Sequence, residues 1–247
     1  MNQTVRAGAH ICMTTRHGGV SNAPYESLNL GDHVGDVPDS VAANRKILEK
    51  QMGARPVFMR QVHGTRCLQI DVQTPDGLEA DAVVTTVRGL ACVMLVADCL
   101  PVLLWNASAT AVGAVHAGWR GLVGGVLASA VQAMRELSKP DEPIHAWLGP
   151  CIGPDHFEVG AEVAAYFLPT HKKRIQTSLM AKESKYLVDL AAAARHQLEI
   201  LTIKDITGHD GLPDWCTHAN EAQYFSHRRD AKRLGNTGRM AACIWMD

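Results

Sequence analysis

Hydrophobic and polar positions along this chain change period from block to block, and each change marks an element. The densest apolar block is Leu90 to Gly121, LACVMLVADCLPVLLWNASATAVGAVHAGWRG, in which Ala91–Ala97 and Ala111–Val115 are unbroken apolar runs. Runs of that length bounded by turn formers predict buried strands, with Pro101 and Asn106 punctuating the interval between them. Neither run is long enough to cross a membrane. Past His116 the chain turns through Gly118 and Gly121, and Leu122–Ser138 carries Val123, Leu127, Val131, Met134 and Leu137 at the spacing of one helix.

The same reading assigns a helix to Val41–Met52, entered through Pro38, Asp39 and Ser40. It assigns strands to Val57–Val62, Ala80–Thr86, Ile144–Leu148 and Ala241–Met246, and helices to Glu158–Leu168 and Tyr186–Leu201. Thr14–Ser21 and Ser27–Gly31 are rich in turn formers without a hydrophobic period, which predicts a long shaped loop. The lysine-rich interval His171–Lys185 reads as a solvated loop.

Composition narrows the function classes. With 247 residues, 47% of them hydrophobic, the chain has ample core for one large domain or two small ones, and it is neither disordered nor collagen-like. The 24 basic residues nearly balance the 25 acidic ones and form no block, which argues against a nucleic-acid or membrane-surface binder and favours a small-molecule partner. The first residues contain no apolar stretch of signal-peptide type, so the cytoplasm is the expected location. Seven cysteines at irregular spacings fit reduced thiols. None forms a C-x-x-C pair, which removes zinc ribbons, thioredoxin-like motifs and the cytidine-deaminase pattern.

Three side chains stand out because each follows an apolar extended segment: His63 after Val57–Val62, Cys99 after Ala91–Ala97, and His116 after Ala111–Val115. Read singly, each is an ordinary packed cysteine or hydrogen-bonded histidine. Read together, two imidazoles and a thiolate with a fourth position open make a catalytic zinc arrangement, although intervals of 36 and 17 residues are no motif in themselves. The residues alone leave both readings open. Arg120 in the glycine turn offers a planar cation for an anion, and Arg239 precedes a buried strand and is placed to point inward. Arg45 reads as a surface charge, and Cys151 as either a packed residue or a thiol at the rim of the site.

The combination Thr15-Arg16-His17-Gly18-Gly19-Val20-Ser21, Ser27-Leu28-Asn29-Leu30-Gly31, Asn44-Arg45, Gln61-Val62-His63-Gly64, Ala97-Asp98-Cys99-Leu100-Pro101-Val102 and His116-Ala117-Gly118-Trp119-Arg120-Gly121, with Gly149-Pro150, Ser226, Arg228-Arg229-Asp230 and Thr237-Gly238-Arg239, resembles the YfiH-type family. That family was formerly labelled multicopper polyphenol oxidase or laccase and is now described as purine nucleoside phosphorylases. The resemblance implies a single catalytic domain over residues 1–247, an α/β fold layered as an α-β-β-α sandwich, and kinship with the catalytic domain of cytotoxic necrotising factor. It also implies zinc held by His63, Cys99 and His116, and phosphate-dependent cleavage of adenosine, inosine and 5′-methylthioadenosine, with adenosine deamination as a second activity. For phosphorolysis, Arg120 and the turn from Gly118 to Gly121, with Arg45 or Arg239, are the residues expected to hold phosphate, and Asp98, next to Cys99, a supporting or proton-carrying group. The protein is then expected to be a monomer or weak homo-oligomer. Copper would bind the same ligands at least as tightly in a test tube. Yet none of the twelve histidines has another two residues away, so the paired H-x-H ligands of a multicopper centre are missing. Three other classes remain: a cysteine hydrolase with Cys99 as nucleophile and His116 as base, an editing hydrolase of a cell-wall nucleotide precursor, and a metal-dependent binding module, which fits the glycine turn and arginines poorly.

Overall fold

Apolar on both faces, the central runs become the middle strands of two stacked sheets. The computed structural model describes residues 2–6, 8–171, 176–177 and 185–247. The chain begins with β1 (Asn2–Arg6) and β2 (Ala9–Met13), then α1 (Pro38–Met52), β3 (Arg55–Phe58), β4 (Cys67–Gln69) and β5 (Ala82–Thr85). Next come β6 (Leu90–Val96), β7 (Leu100–Asn106), β8 (Val112–Ala117), α2 (Trp119–Gly124), α3 (Val126–Glu136) and β9 (Ile144–Leu148). The last part holds β10 (Glu158–Gly160), α4 (Ala161–His171), β11 (Gln176–Thr177), β12 (Lys185–Leu187), α5 (Leu190–Ile200), β13 (Ile206–Gly208), α6 (His227–Leu234) and β14 (Met240–Met246).

One sheet has five strands in the order β1-β2-β14-β6-β3, the other six in the order β13-β9-β7-β8-β5-β4, and β10-β12-β11 form a small third sheet. The two-residue period of a strand sorts the apolar side chains between layers. On β6, Leu90, Cys92 and Met94 face the space between the sheets, while Ala91, Val93 and Leu95 pack with Leu48 and Met52 of α1. On β7, Leu103 and Trp105 face the same inter-sheet space, and Leu100, Val102 and Leu104 pack with Leu127, Val131 and Met134 of α3 and Leu190 and Leu198 of α5. Helix, sheet, sheet and helices therefore follow one another as layers, with β5 to β9 and β14 buried on both sides.

Several sequence expectations shift at the boundaries. The single helix over Leu122–Ser138 is two helices, because Gly125 takes φ +98°, a left-handed value that closes α2 and opens α3. Pro101 lies inside β7 instead of in a turn: its carbonyl accepts from the Gly149 N–H, and β9 ends at Leu148 beside it, so the missing proline donor falls at the end of a ladder. Residues 158–160 and 186–187, expected as helix starts, are strands, as is Lys185 from the expected loop, and α5 begins only where Asp189 accepts from the Ala192 N–H at 2.8 Å. Helix α6 was not anticipated, since its sequence HRRDAKRL has no apolar face; it is capped by Ser226 and held by buried Asp230, which accepts from Arg229. Of the lysine-rich interval read as a solvated loop, residues 172–175 and 178–184 lie outside the described residues. Among the described residues no helix is long and apolar enough to cross a membrane.

Candidate metal centre and substrate pocket

The short turn between β6 and β7 passes the chain from one sheet to the other, and the site lies at that end of the stack. Cys99 sits in this turn, after Asp98 at φ +95°. His116 lies on β8, one residue before its end and opposite Pro101. His63 is not at the end of β3; it stands in the loop beyond it, at φ +59°. Although far apart in sequence, the donor atoms of His63, Cys99 and His116 all lie within 4.8 Å of one another. The Cys99 Sγ is 3.7 Å from His63 Nε2, and the two imidazoles meet edge to face at 4.8 Å between ring centroids.

Glycine makes this convergence sterically feasible. A Cβ on Gly118 would stand 2.8 Å from His63 Cδ2 and 3.1 Å from Cys99 Sγ, and one on Gly121 would press on the Gly64 carbonyl at 2.9 Å. The turn after His116 is therefore glycine-rich because the His63 loop occupies the volume that side chains would need.

Burial alone raises the Cys99 thiol pKa, but the charge of neighbouring His116 and hydrogen bonds from both imidazoles outweigh it and bring the pKa down to about 6. Burial acts on His116 in the opposite sense, and the Cys99 charge together with the Asp81 hydrogen bond raises its pKa to about 9. Thiolate and imidazolium stabilise each other before any ion is present. Once Nε2 of His116 gives up its proton in favour of an incoming ion, a soft anionic sulfur and two imidazole nitrogens make a donor set suited to one zinc-class ion. Among the described residues this is the one group of three or more such ligands.

A cavity of about 360 Å³ opens beside the three donors, within the roughly 300–1,000 Å³ range of small-molecule sites. Its apolar wall includes Leu95, Ile152, Phe157 and Trp119, and its polar wall includes His33, His227, Arg228 and Arg239. Arg239 is half-buried, with Nη1 donating to the carbonyls of Thr237 and Gly238. The other arginines singled out from sequence lie elsewhere. Arg120 is exposed and stacks over the Trp119 ring at 4.4 Å. Arg45 bonds the Leu30 carbonyl and Asp32 and lies over Phe58, outside the cavity lining.

Asp98 lines the cavity with both carboxylate oxygens engaged, one by the Thr217 hydroxyl and one by the Arg228 N–H, each at 2.6 Å. Cys151 is fully buried, with a thiol pKa raised well above its ordinary value by burial, and is a packed core residue. The loop through Thr14–Gly31 is shaped by buried Asn44 of α1, whose amide donates to Ser21, Ser27 and Asn29 and accepts from the Val20 N–H. Sequence alone assigns no role to Asp81, to Gln61 of the Gln61-Val62-His63-Gly64 motif, or to His33. Gln61 pairs with both backbone groups of Leu95 at 2.8 Å and so ties the loop carrying His63 to β6. A carboxylate at the head of an apolar strand, as in Ala80-Asp81-Ala82, was the available signal for the first of these.

Residues 10–247 match the family described as multi-copper polyphenol oxidoreductase laccase. The chain belongs to this family. It is the YfiH-type family that the motifs resemble, and similarity to its members runs the length of the chain. The Shigella flexneri protein named purine nucleoside phosphorylase YfiH is 44% identical over 97% of this chain and 94% of its own. A Haemophilus influenzae purine nucleoside phosphorylase is 43% identical over 100% of this chain and 98% of its own. Among solved structures, a Neisseria meningitidis protein superposes with a TM-score of 0.89 at 39% identity, covering 100% of this chain and 98% of its own. YlmD from Geobacillus stearothermophilus gives 0.85 at 32% identity, covering 99% and 97%.

Proposed function

We propose that this protein is a zinc-dependent purine nucleoside phosphorylase, cleaving adenosine, inosine and 5′-methylthioadenosine with phosphate, and that adenosine deamination is a second activity of the same pocket. The observation that carries the reading is a single cavity lined by a His₂Cys donor set, by the guanidinium-bearing Arg228 and Arg239, and by the aromatic rings of Trp119 and Phe157. The relatives' names point to the same chemistry. In this reading the sandwich is also the one shared with the catalytic domain of cytotoxic necrotising factor.

Phosphorolysis forms a bond from a phosphate oxygen to the ribose anomeric carbon while the bond from that carbon to the purine nitrogen breaks. The electron pair leaves with the purine, which takes up a proton. Arg239, which lines the cavity, neutralises the nucleophile's charge and orients it, while Gly118 packs against His63 and Cys99 and does not line the cavity. Arg120 and Arg45 act outside the lining, Arg120 on the approach past Trp119 and Arg45 by holding Asp32 next to His33. Phe157 and Trp119 offer faces for the purine. Asp98, with both oxygens occupied, holds the Cys99 turn in place. His63, Cys99 and His116 would hold the zinc, which when bound supplies a fixed positive charge that polarises substrate. One three-ligand group suits a single ion better than a multicopper cluster.

The test pairs the metal content of protein purified without added metal with an inosine assay run with and without phosphate. Zinc near one equivalent, and ribose 1-phosphate plus hypoxanthine only when phosphate is present, is the expected result. Equal hypoxanthine release without phosphate would instead favour a hydrolase, including one acting on a cell-wall precursor. The depressed Cys99 pKa gives the cysteine-hydrolase reading a specific footing. A Cys99→Ser variant that keeps its zinc but loses all activity would support it.

A further inference from the structure

Asp81 is fully buried at the head of β5 and touches two of the three metal-capable residues at once. Its Oδ1 accepts from His116 Nδ1 at 2.8 Å and from the backbone N–H of His63 at 2.9 Å. Its Oδ2 accepts from the N–H groups of Val62 at 3.1 Å and Gly64 at 2.7 Å. The Asp81 backbone carbonyl accepts from the His116 N–H at 2.8 Å as well. One carboxylate thus binds three successive amides of the His63 loop and the ring of His116.

This arrangement has two consequences. With Nδ1–H committed to the carboxylate, only Nε2 of His116 is left for an ion. The second concerns the loop: His63 holds a left-handed backbone, an unfavourable conformation for a residue other than glycine, and the three N–H groups turned onto Asp81 are what hold it there. We propose that Asp81 is the positioning residue of the metal centre: it fixes His116 in the Nδ1–H form and locks the His63 loop against it, so that the two imidazoles are presented together. This inference rests on the proposed zinc reading of the same site.

An asparagine cannot reproduce the pattern. Whichever way its amide is turned, its NH₂ group faces either two backbone N–H groups of the loop or the remaining pair, His116 Nδ1–H and His63 N–H. Asp81→Asn is therefore expected to weaken zinc binding 10- to 100-fold, measured by competition against a chromophoric chelator with no nucleoside or phosphate present. Asp230→Asn serves as the control, since it removes an equally buried carboxylate that bonds Arg229, Ser226 and Thr237 and touches no candidate ligand. It should lower the unfolding midpoint while leaving zinc affinity unchanged. Should Asp81→Asn fail to fold, long-range ¹H–¹⁵N spectra of the zinc-loaded wild type still decide the matter: His116 must carry its proton on Nδ1 and bind through Nε2. Unchanged affinity in Asp81→Asn, an equal loss in Asp230→Asn, or zinc on Nδ1 overturns the assignment. A wild type that binds no zinc overturns the metal reading itself and takes this inference with it.

Discussion

Gly118→Ala separates the integrity of the metal centre from the integrity of the fold. Gly118 has φ −64° and ψ 159°, values that alanine adopts without strain, so the backbone does not resist the change. The added methyl resists it. At 2.8 Å from His63 Cδ2 it falls roughly 0.6 Å short of ordinary contact at 3.4 Å, and at 3.1 Å from Cys99 Sγ it falls roughly 0.3 Å short. His63 is exposed and can swing outward, so most of the adjustment is taken by the ligand ring and little by the core. Catalytic and ligand groups tolerate only about 0.5 Å of displacement, so zinc affinity should fall roughly 10- to 100-fold, equivalent to about 1.4–2.8 kcal/mol. The unfolding midpoint of the metal-free protein should stay within about 3 °C of wild type, because less than about 1 kcal/mol reaches the fold. Chelator competition and thermal unfolding of the same metal-free sample measure the two quantities. Zinc affinity within threefold of wild type would refute the steric account of this glycine, and a large loss of midpoint would show that the core, not the ligand, absorbs the methyl.

Other outcomes follow from the same geometry. In metal-free protein at pH 7, iodoacetamide should alkylate Cys99 well before Cys12, Cys92, Cys151 or Cys243, whose thiols burial pushes up, and the Cys99 rate should show a midpoint near pH 6; mass mapping reads it, and added zinc should protect the site. The lowered Cys99 pKa favours folding above its unfolded value of 9.0, and that contribution is lost as pH falls through about 6. The raised His116 pKa favours folding below 6.5, and that contribution is lost as pH rises through about 9. The two trends offset each other between about pH 6.5 and 9 and neither changes above that, so stability of the metal-free form against urea should be level from about pH 6.5 upward and fall only on the acid side, towards pH 6, and Cys99→Ala should flatten that acid limb. Arg239→Ala should raise the KM for phosphate at least tenfold with a smaller change for inosine, whereas Arg120→Ala, outside the cavity lining, should change both by less than threefold. Leu103→Ala, fully buried between the sheets, should cost about 2–5 kcal/mol in chemical denaturation without altering zinc affinity.

Much of this protein could be read along the chain. Unbroken apolar runs are the signature of strands covered on both faces, and β6, β8, β9 and β14 lie where such runs occur because a layered fold buries both sides of them. The residue types at positions 63, 99 and 116 likewise announced nitrogen and sulfur donors. What one dimension withheld was set by neighbours distant in sequence. Pro101 reads as a turn until the end of β9 beside it is known, and α6 has no apolar face because its buried anchor is an ion pair rather than a hydrophobic stripe. The three donors converge only because the turn from β6 to β7 carries the chain between stacked sheets, while the His63 loop folds into the space left by Gly118 and Gly121. The sequence marks Asp81 only as a carboxylate at the head of an apolar strand and not its role, for the same reason: that role depends on which amides and rings surround it, and those come from chain segments that only packing brings together.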